Sequence, residues 1–135
     1  MAIDITNKDV FFQVIDVDLA DPGTPDQVVE TFISANRDYN KVIGIGWFEQ
    51  ADGGAVKDYL VGFRTNRKTW IEDISAKAWD ADQNVAIMQK YMEVNIPYGS
   101  GDTLYARVTP GVALTSNLVG QMVLILQKDL TELNK

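Results

Sequence analysis

The chain contains no cysteine and no histidine. Missing thiols exclude disulfides and thiolate nucleophiles, and missing imidazoles exclude the commonest acid–base group near neutral pH. Together the two absences leave no Cys/His zinc site. They fit any redox compartment. Cations are also scarce, with Lys+Arg 12 against Asp+Glu 19 and a net charge of −7. Sequence-independent binding of nucleic acid rests on neutralising phosphates with Lys and Arg, so the balance argues against DNA or RNA as a partner. No apolar run approaches the roughly 18 to 20 residues that cross a bilayer. The longest, Met122-Val123-Leu124-Ile125-Leu126, suits one buried strand. Membrane insertion is not expected. Met1-Ala2-Ile3-Asp4-Ile5 has no basic stretch followed by an apolar core, and no Asn-x-Ser/Thr triplet occurs. We therefore expect a chain synthesised in the cytoplasm without a signal peptide.

What is present is enough for one domain over 1–135, with 46% hydrophobic and 23% charged residues. Charge is unevenly placed. Residues 1–30 carry seven acids (Asp4, Asp9, Asp16, Asp18, Asp21, Asp26, Glu30) against Lys8 alone, which accounts for −6 of the total −7.

The dominant periodicity is two. In Val10–Leu19, Phe11, Ile15, Val17 and Leu19 share one face, broken only by Gln13, while Asp16 and Asp18 share the other with Phe12 and Val14. That pattern reads as a strand with one dry face. Thr24-Pro25-Asp26-Gln27 resembles a helix start, and Val28, Val29, Phe32 and Ile33 would then form an apolar helical face. The β-branched Val28, Val29, Thr31 and Ile33 offer the alternative of a strand; the short helix is the expectation.

Val42–Phe48 reads as a strand whose Gly44 and Gly46 leave room for a large neighbouring side chain to lie flat. Ala51-Asp52-Gly53-Gly54 is a hairpin signal, with Asp58–Arg64 as the return strand. Thr65–Lys68 is a second turn, and Thr69–Ala78 a further β segment. Val85–Met92 is ambiguous between a helical turn and a strand. Tyr91–Ile96 and Thr103–Val108 alternate cleanly, and Gly120–Lys128 closes the chain as an apolar strand. Short strands at this spacing predict an all-β antiparallel sandwich, jelly-roll-like, with about eight strands and one short helix.

Chemistry must come from what remains. Carboxylates could serve glycoside hydrolysis, with Glu49, Asp58, Glu72, Asp73, Glu93 and Asp102 as candidates, but no spacing selects a pair. We expect no catalysis. Gly44-Ile45-Gly46 lacks the third glycine of a dinucleotide fingerprint, and Gly99-Ser100-Gly101-Asp102 lacks the Lys-Ser/Thr of a phosphate loop. Asp80, Asp82 and Asn84 open like a calcium loop, yet Val85 stands where the loop needs glycine, and Gln89 and Lys90 fall in the stretch that should supply its closing Glu. An EF-hand is excluded; a calcium ion held in a sandwich loop is the alternative to plain turn chemistry, and no other cofactor is implied. Trp79, beside Asp80-Ala81-Asp82, and Tyr98, between Pro97 and Gly99, have the least apolar neighbourhood among the aromatics. They are the candidates for a carbohydrate-stacking platform.

The last third, Tyr91–Pro97, then Gly101–Pro110 and the apolar closing strand, resembles the later strands of viral and bacteriophage structural β-sandwiches, often jelly rolls. The resemblance implies a non-enzymatic capsid or virion subunit that packs against copies of itself, with no catalytic residues. Charge suggests one contact for such packing: the acidic Asp16, Asp18 and Asp21 against the basic turn Arg64, Arg67 and Lys68 of a neighbour. Independent exposure of both to water is the simpler reading. A carbohydrate-binding sandwich with structural calcium is the alternative function.

Overall fold

A computed structural model describes residues 9–19, 28–55, 58–79 and 90–128. Among these residues eight strands form two four-stranded sheets: β1 (Val10–Leu19), β2 (Val29–Ser34), β3 (Lys41–Asp52), β4 (Tyr59–Thr65), β5 (Thr69–Ser75), β6 (Met92–Pro97), β7 (Thr103–Pro110) and β8 (Leu118–Gln127). The first sheet has the order β1-β8-β3-β6 and the second β2-β7-β4-β5. Every pairing is antiparallel. This interleaved order, with first and last strands side by side, is the jelly-roll arrangement of two packed sheets. The all-β sandwich expected from the alternating pattern is what the chain forms.

The core is the inward residue of each alternating pair. Ile15 and Val17 of β1, Val42 and Ile45 of β3, and Leu118, Met122, Leu124 and Leu126 of β8 face Val61 and Phe63 of β4 and Leu104, Ala106 and Val108 of β7. One polar tether crosses between sheets within it. Trp47 Nε1 on β3 donates to the Tyr59 hydroxyl on β4 at 2.9 Å, and that hydroxyl donates to Glu49 Oε1 on β3 at 2.6 Å. The indole can sit so deep because it lies on Gly120 of β8, where a Cβ would come within 2.6 Å of the ring.

Three local expectations are corrected. Residues 29–34 are strand, not helix, paired with β7 from Val29↔Val108 to Ser34↔Thr103; a ladder to a buried strand outweighs a local cap signal. The cap itself, Thr24–Gln27, lies outside the described residues. The Asp52-Gly53-Gly54 turn, with φ of 64° and 87° at its glycines, does not close a hairpin. It carries the chain from β3 in one sheet to β4 in the other. Among the described strands, β4 and β5 alone form a tight hairpin of consecutive strands, through Thr65–Lys68. The β segment expected to reach Ala78 ends at Ser75, and a helical turn, α1 (Ala76–Trp79), follows. Most of the ambiguous stretch 85–92 lies outside the described residues.

Candidate functional site

The two sheets turn outward faces of opposite character. On the second sheet, alternation sends Glu30 and Phe32 of β2, Tyr105 and Arg107 of β7, and Arg64 of β4 away from the core. The register sets Glu30 opposite Arg107 and Arg64 opposite Tyr105. The Arg64 guanidinium donates to both Glu30 oxygens, at 2.5 and 3.0 Å, and lies 3.7 Å over the Tyr105 ring. Arg107 reaches Glu30 at 3.5 Å and grips Asp73 through Nε and Nη2 at 3.1 and 3.3 Å. Asp73 crosses to β7 over Gly62, where any side chain would occupy its place. The Arg64 hydrogen bond, helped by both guanidinium charges, holds the Glu30 carboxyl below the usual glutamate range against the opposing effect of burial. Thr69, Glu72, Asp73 and Arg107 line a shallow depression beside this network.

The first sheet presents hydrocarbon instead. Phe12 of β1 pairs with Ile125 of β8, which faces Gly44 of β3; Val14 pairs with Val123, which faces Gly46. A Cβ at Gly46 would lie 2.7 Å from Phe48 Cε2 and 3.0 Å from the Tyr91 ring, so both rings press against the glycine. Tyr91 thereby bridges Phe12, at 6.1 Å, and Phe48, at 5.5 Å, both edge-on. Burial among these groups raises the Tyr91 phenol above its ordinary pKa. Ile43, Tyr91, Val123 and Ile125 are buried here, on the side of the sheet away from the core, and Val10 and Phe48 pack against them. Outward sheet faces are ordinarily polar. The sequence placed Phe12 and Val14 opposite the dry face, which was the available signal; Phe32, read as part of a helix face, gave none.

The residues singled out from the sequence fall as follows. Trp79 and Tyr98 are core residues, each 6% exposed. The Trp79 indole donates to the Val61 carbonyl at 3.3 Å because α1 folds it back over β4. The Tyr98 hydroxyl donates to the Asn36 carbonyl at 2.8 Å, and desolvation pushes its pKa upward. Neither offers a ring face to a sugar, so the stacking platform on these residues is withdrawn. Asp80, Asp82 and Asn84 lie outside the described residues, as does Asp21. Asp16 Oδ1 accepts from Gln121 at 2.9 Å and Asp18 Oδ1 from Asn117 at 3.0 Å.

The basic turn has partners within the chain. Besides the Arg64–Glu30 pair, Arg67 Nε donates to Asp102 Oδ1 at 3.1 Å, and the Lys68 ammonium lies 4.2 Å over the Trp70 ring. A neighbour's aspartates would have to compete with these contacts, so the proposed charge pairing between copies is not carried forward. Of the carboxylates considered for catalysis, Glu49, Asp73 and Asp102 are engaged by Tyr59, Arg107 and Arg67, while Glu72 and Glu93 are exposed. Among the described residues no group of three or more carboxylates converges to hold a metal ion. No described helix is long and apolar enough to cross a membrane. Comparison with protein-family models, curated proteins and solved structures finds no match.

Proposed function

We propose that this chain is a non-enzymatic structural subunit that self-associates, a jelly roll of the kind that builds virus and phage particles. One observation carries the reading. Seven large apolar side chains are exposed among the described residues, and five of them lie on β1 (Phe11, Phe12, Val14), on β2 (Phe32) or just before β2 (Val28). β1 and β2 are each one edge of their sheet, and they contact each other along one flank of the sandwich. Phe12 and Val14 stand on the outward face of the first sheet and Phe32 on that of the second, so this flank carries hydrocarbon on both outer surfaces; scattered exposed apolar residues are ordinary, whereas several along one flank mark a contact surface. Each of these side chains contributes on the order of 1 to 2 kcal/mol when its remaining surface is covered. The alternative, a carbohydrate-binding module, loses its contacts with the burial of Trp79 and Tyr98.

Sedimentation velocity or light scattering over a concentration series tests the proposal. Assembly into dimers or larger species is expected, strengthened or unaltered by salt, because two copies of charge −7 repel until screened. Val14→Lys, at a side chain 38% exposed on the outward face of the first sheet, is expected to weaken assembly while leaving the circular dichroism spectrum intact. A wild-type chain that stays monomeric at high concentration refutes the proposal.

A further inference from the structure

We infer that the free edge of β1 pairs antiparallel with β1 of a second copy, joining two first sheets into one continuous sheet about a two-fold axis near Phe12–Val14. The inference rests on the proposed self-association and specifies its contact.

The first argument is the backbone. A strand at a sheet edge offers a row of unpaired N–H and C=O groups, and proteins blunt such edges with short strands, Lys, Pro or bulges. β2 and β6 have six residues each, and β6 ends on Pro97. The β5 register with β4 shifts at two places. β1 has none of these devices. It runs ten residues, Val-Phe-Phe-Gln-Val-Ile-Asp-Val-Asp-Leu, with ten consecutive partners on β8 and no shift. Among the described residues no strand pairs with its other side. It is the longest and most regular edge among the described strands, and it carries no cation.

The second argument is where the charges lie: it decides the direction, and it leaves an apolar half that a second copy matches with its own. Asp16 and Asp18 occupy the C-terminal half of β1, and the exposed Phe11, Phe12 and Val14 the N-terminal half. Parallel pairing of two copies would set Asp16 beside Asp16 and Asp18 beside Asp18, and like charges directly opposite one another are destabilising. Antiparallel pairing centred on residues 12–14 sets apolar half against apolar half and keeps the four aspartates apart. It also brings the two outward Phe12–Tyr91–Phe48 clusters side by side across the join, so hydrocarbon already assembled in each copy becomes continuous. A two-fold axis makes the contact self-complementary, as a closed dimer requires.

The absence of cysteine makes the test clean. Single cysteines are placed at Phe11, Phe12, Gln13, Val14 and Asp18, and each variant is oxidised mildly at a concentration where the wild type is associated. A residue on the axis faces its own copy across about 4.5 to 5.5 Å between Cα atoms, within disulfide reach. Covalent dimer is expected at one or two neighbouring positions among 11–14, several-fold above Asp18→Cys. Amide exchange on the unmodified chain gives a second readout. Amides on the free edge of β1 should slow as concentration rises, with the strands on the far flank, β5 and β6, unaffected. Association without preferential cross-linking at 11–14, or with the maximum at Asp18, overturns the β1 contact and leaves the assembly reading standing. A chain that does not associate at all overturns both.

Discussion

Gly120→Ala tests whether the sandwich closes around Trp47 as described. The new Cβ would stand 2.5 Å from Trp47 Cζ2 and 2.6 Å from Cη2, with the Phe48 carbonyl oxygen at 3.1 Å. Carbon atoms in contact settle near 3.5 to 4.0 Å, so the indole must retreat by about 1 Å. It has little room. Trp47 is 6% exposed, and its N–H is held by Tyr59 at 2.9 Å, a bond that does not survive lengthening by that amount. Overpacking costs about 1 to 3 kcal/mol and the lost hydrogen bond about 1. Replacing glycine in a strand returns roughly 0.5 to 1. The net is a loss of about 1 to 3.5 kcal/mol, which for a domain of this size lowers Tm by roughly 4 to 12 °C. Urea and thermal denaturation followed by circular dichroism measure it, in the wild type and in a Trp47→Leu background. With the indole gone, the same alanine should be neutral or mildly stabilising. An equal penalty in both backgrounds, or none in the wild type, refutes the packing argument.

Two further expectations follow from the ion pairs. Glu30→Gln should destabilise the fold by about 1 to 2 kcal/mol at neutral pH, since it weakens a half-buried bidentate pair. The folded-state pKa of Glu30 lies below the ordinary value of 4.5. Its contribution is thus complete above that value and disappears as pH falls through the folded pKa. Denaturant titrations at stepped pH should show the wild type and variant converging as pH falls from 4.5 through the lowered folded-state value; a constant gap would contradict the pairing. At the other pair, Asp102 is 5% exposed and also accepts the Gly99 N–H at 2.8 Å, whereas Arg67 is 69% exposed. Asp102→Ala should cost about 2 kcal/mol by stranding that N–H, and Arg67→Ala less than about 1. Equal losses in chemical denaturation would show that the arginine, not the turn, is the important partner.

Strand positions were legible because burial on one face writes a period of two directly into the residues: Val10–Leu19 reads as β1 from end to end. Which sheet each strand joins was not legible. Asp52-Gly53-Gly54 has the composition of a hairpin turn, and nothing in those residues records that β3 finds its partners in β8 and β6. The same limit explains the site residues. Trp79 was judged by the aspartate beside it in sequence, yet its burial is decided by Val61, eighteen positions away. Arg64 was judged a solvated turn cation, yet Glu30, thirty-four positions away, holds it. The glycines were more informative than the charges. A side chain missing from a strand leaves a hollow that something large can fill: Gly44 and Gly46 point to a large neighbouring side chain without naming it, and at Gly46 it is the rings of Phe48 and Tyr91.

The contrast between the outward faces bears on how an acidic subunit could assemble. On the second sheet, Arg64 and Arg107 are neutralised by Glu30 and Asp73 of the same copy, so that face has little charge left to offer a partner and would lose internal hydrogen bonds by exchanging them. On the first, Phe12 and Val14 gain from any cover that excludes water, and the backbone beside them has hydrogen bonds still to make. Association through the second sheet would trade one set of ion pairs for another, with desolvation opposing it. Association at the edge of the first replaces water with hydrocarbon and adds a ladder, at the cost of bringing two net negative charges together. That cost is smallest where the local charge is lowest, and along β1 this is the stretch from Val10 to Ile15, which contains no ionisable side chain.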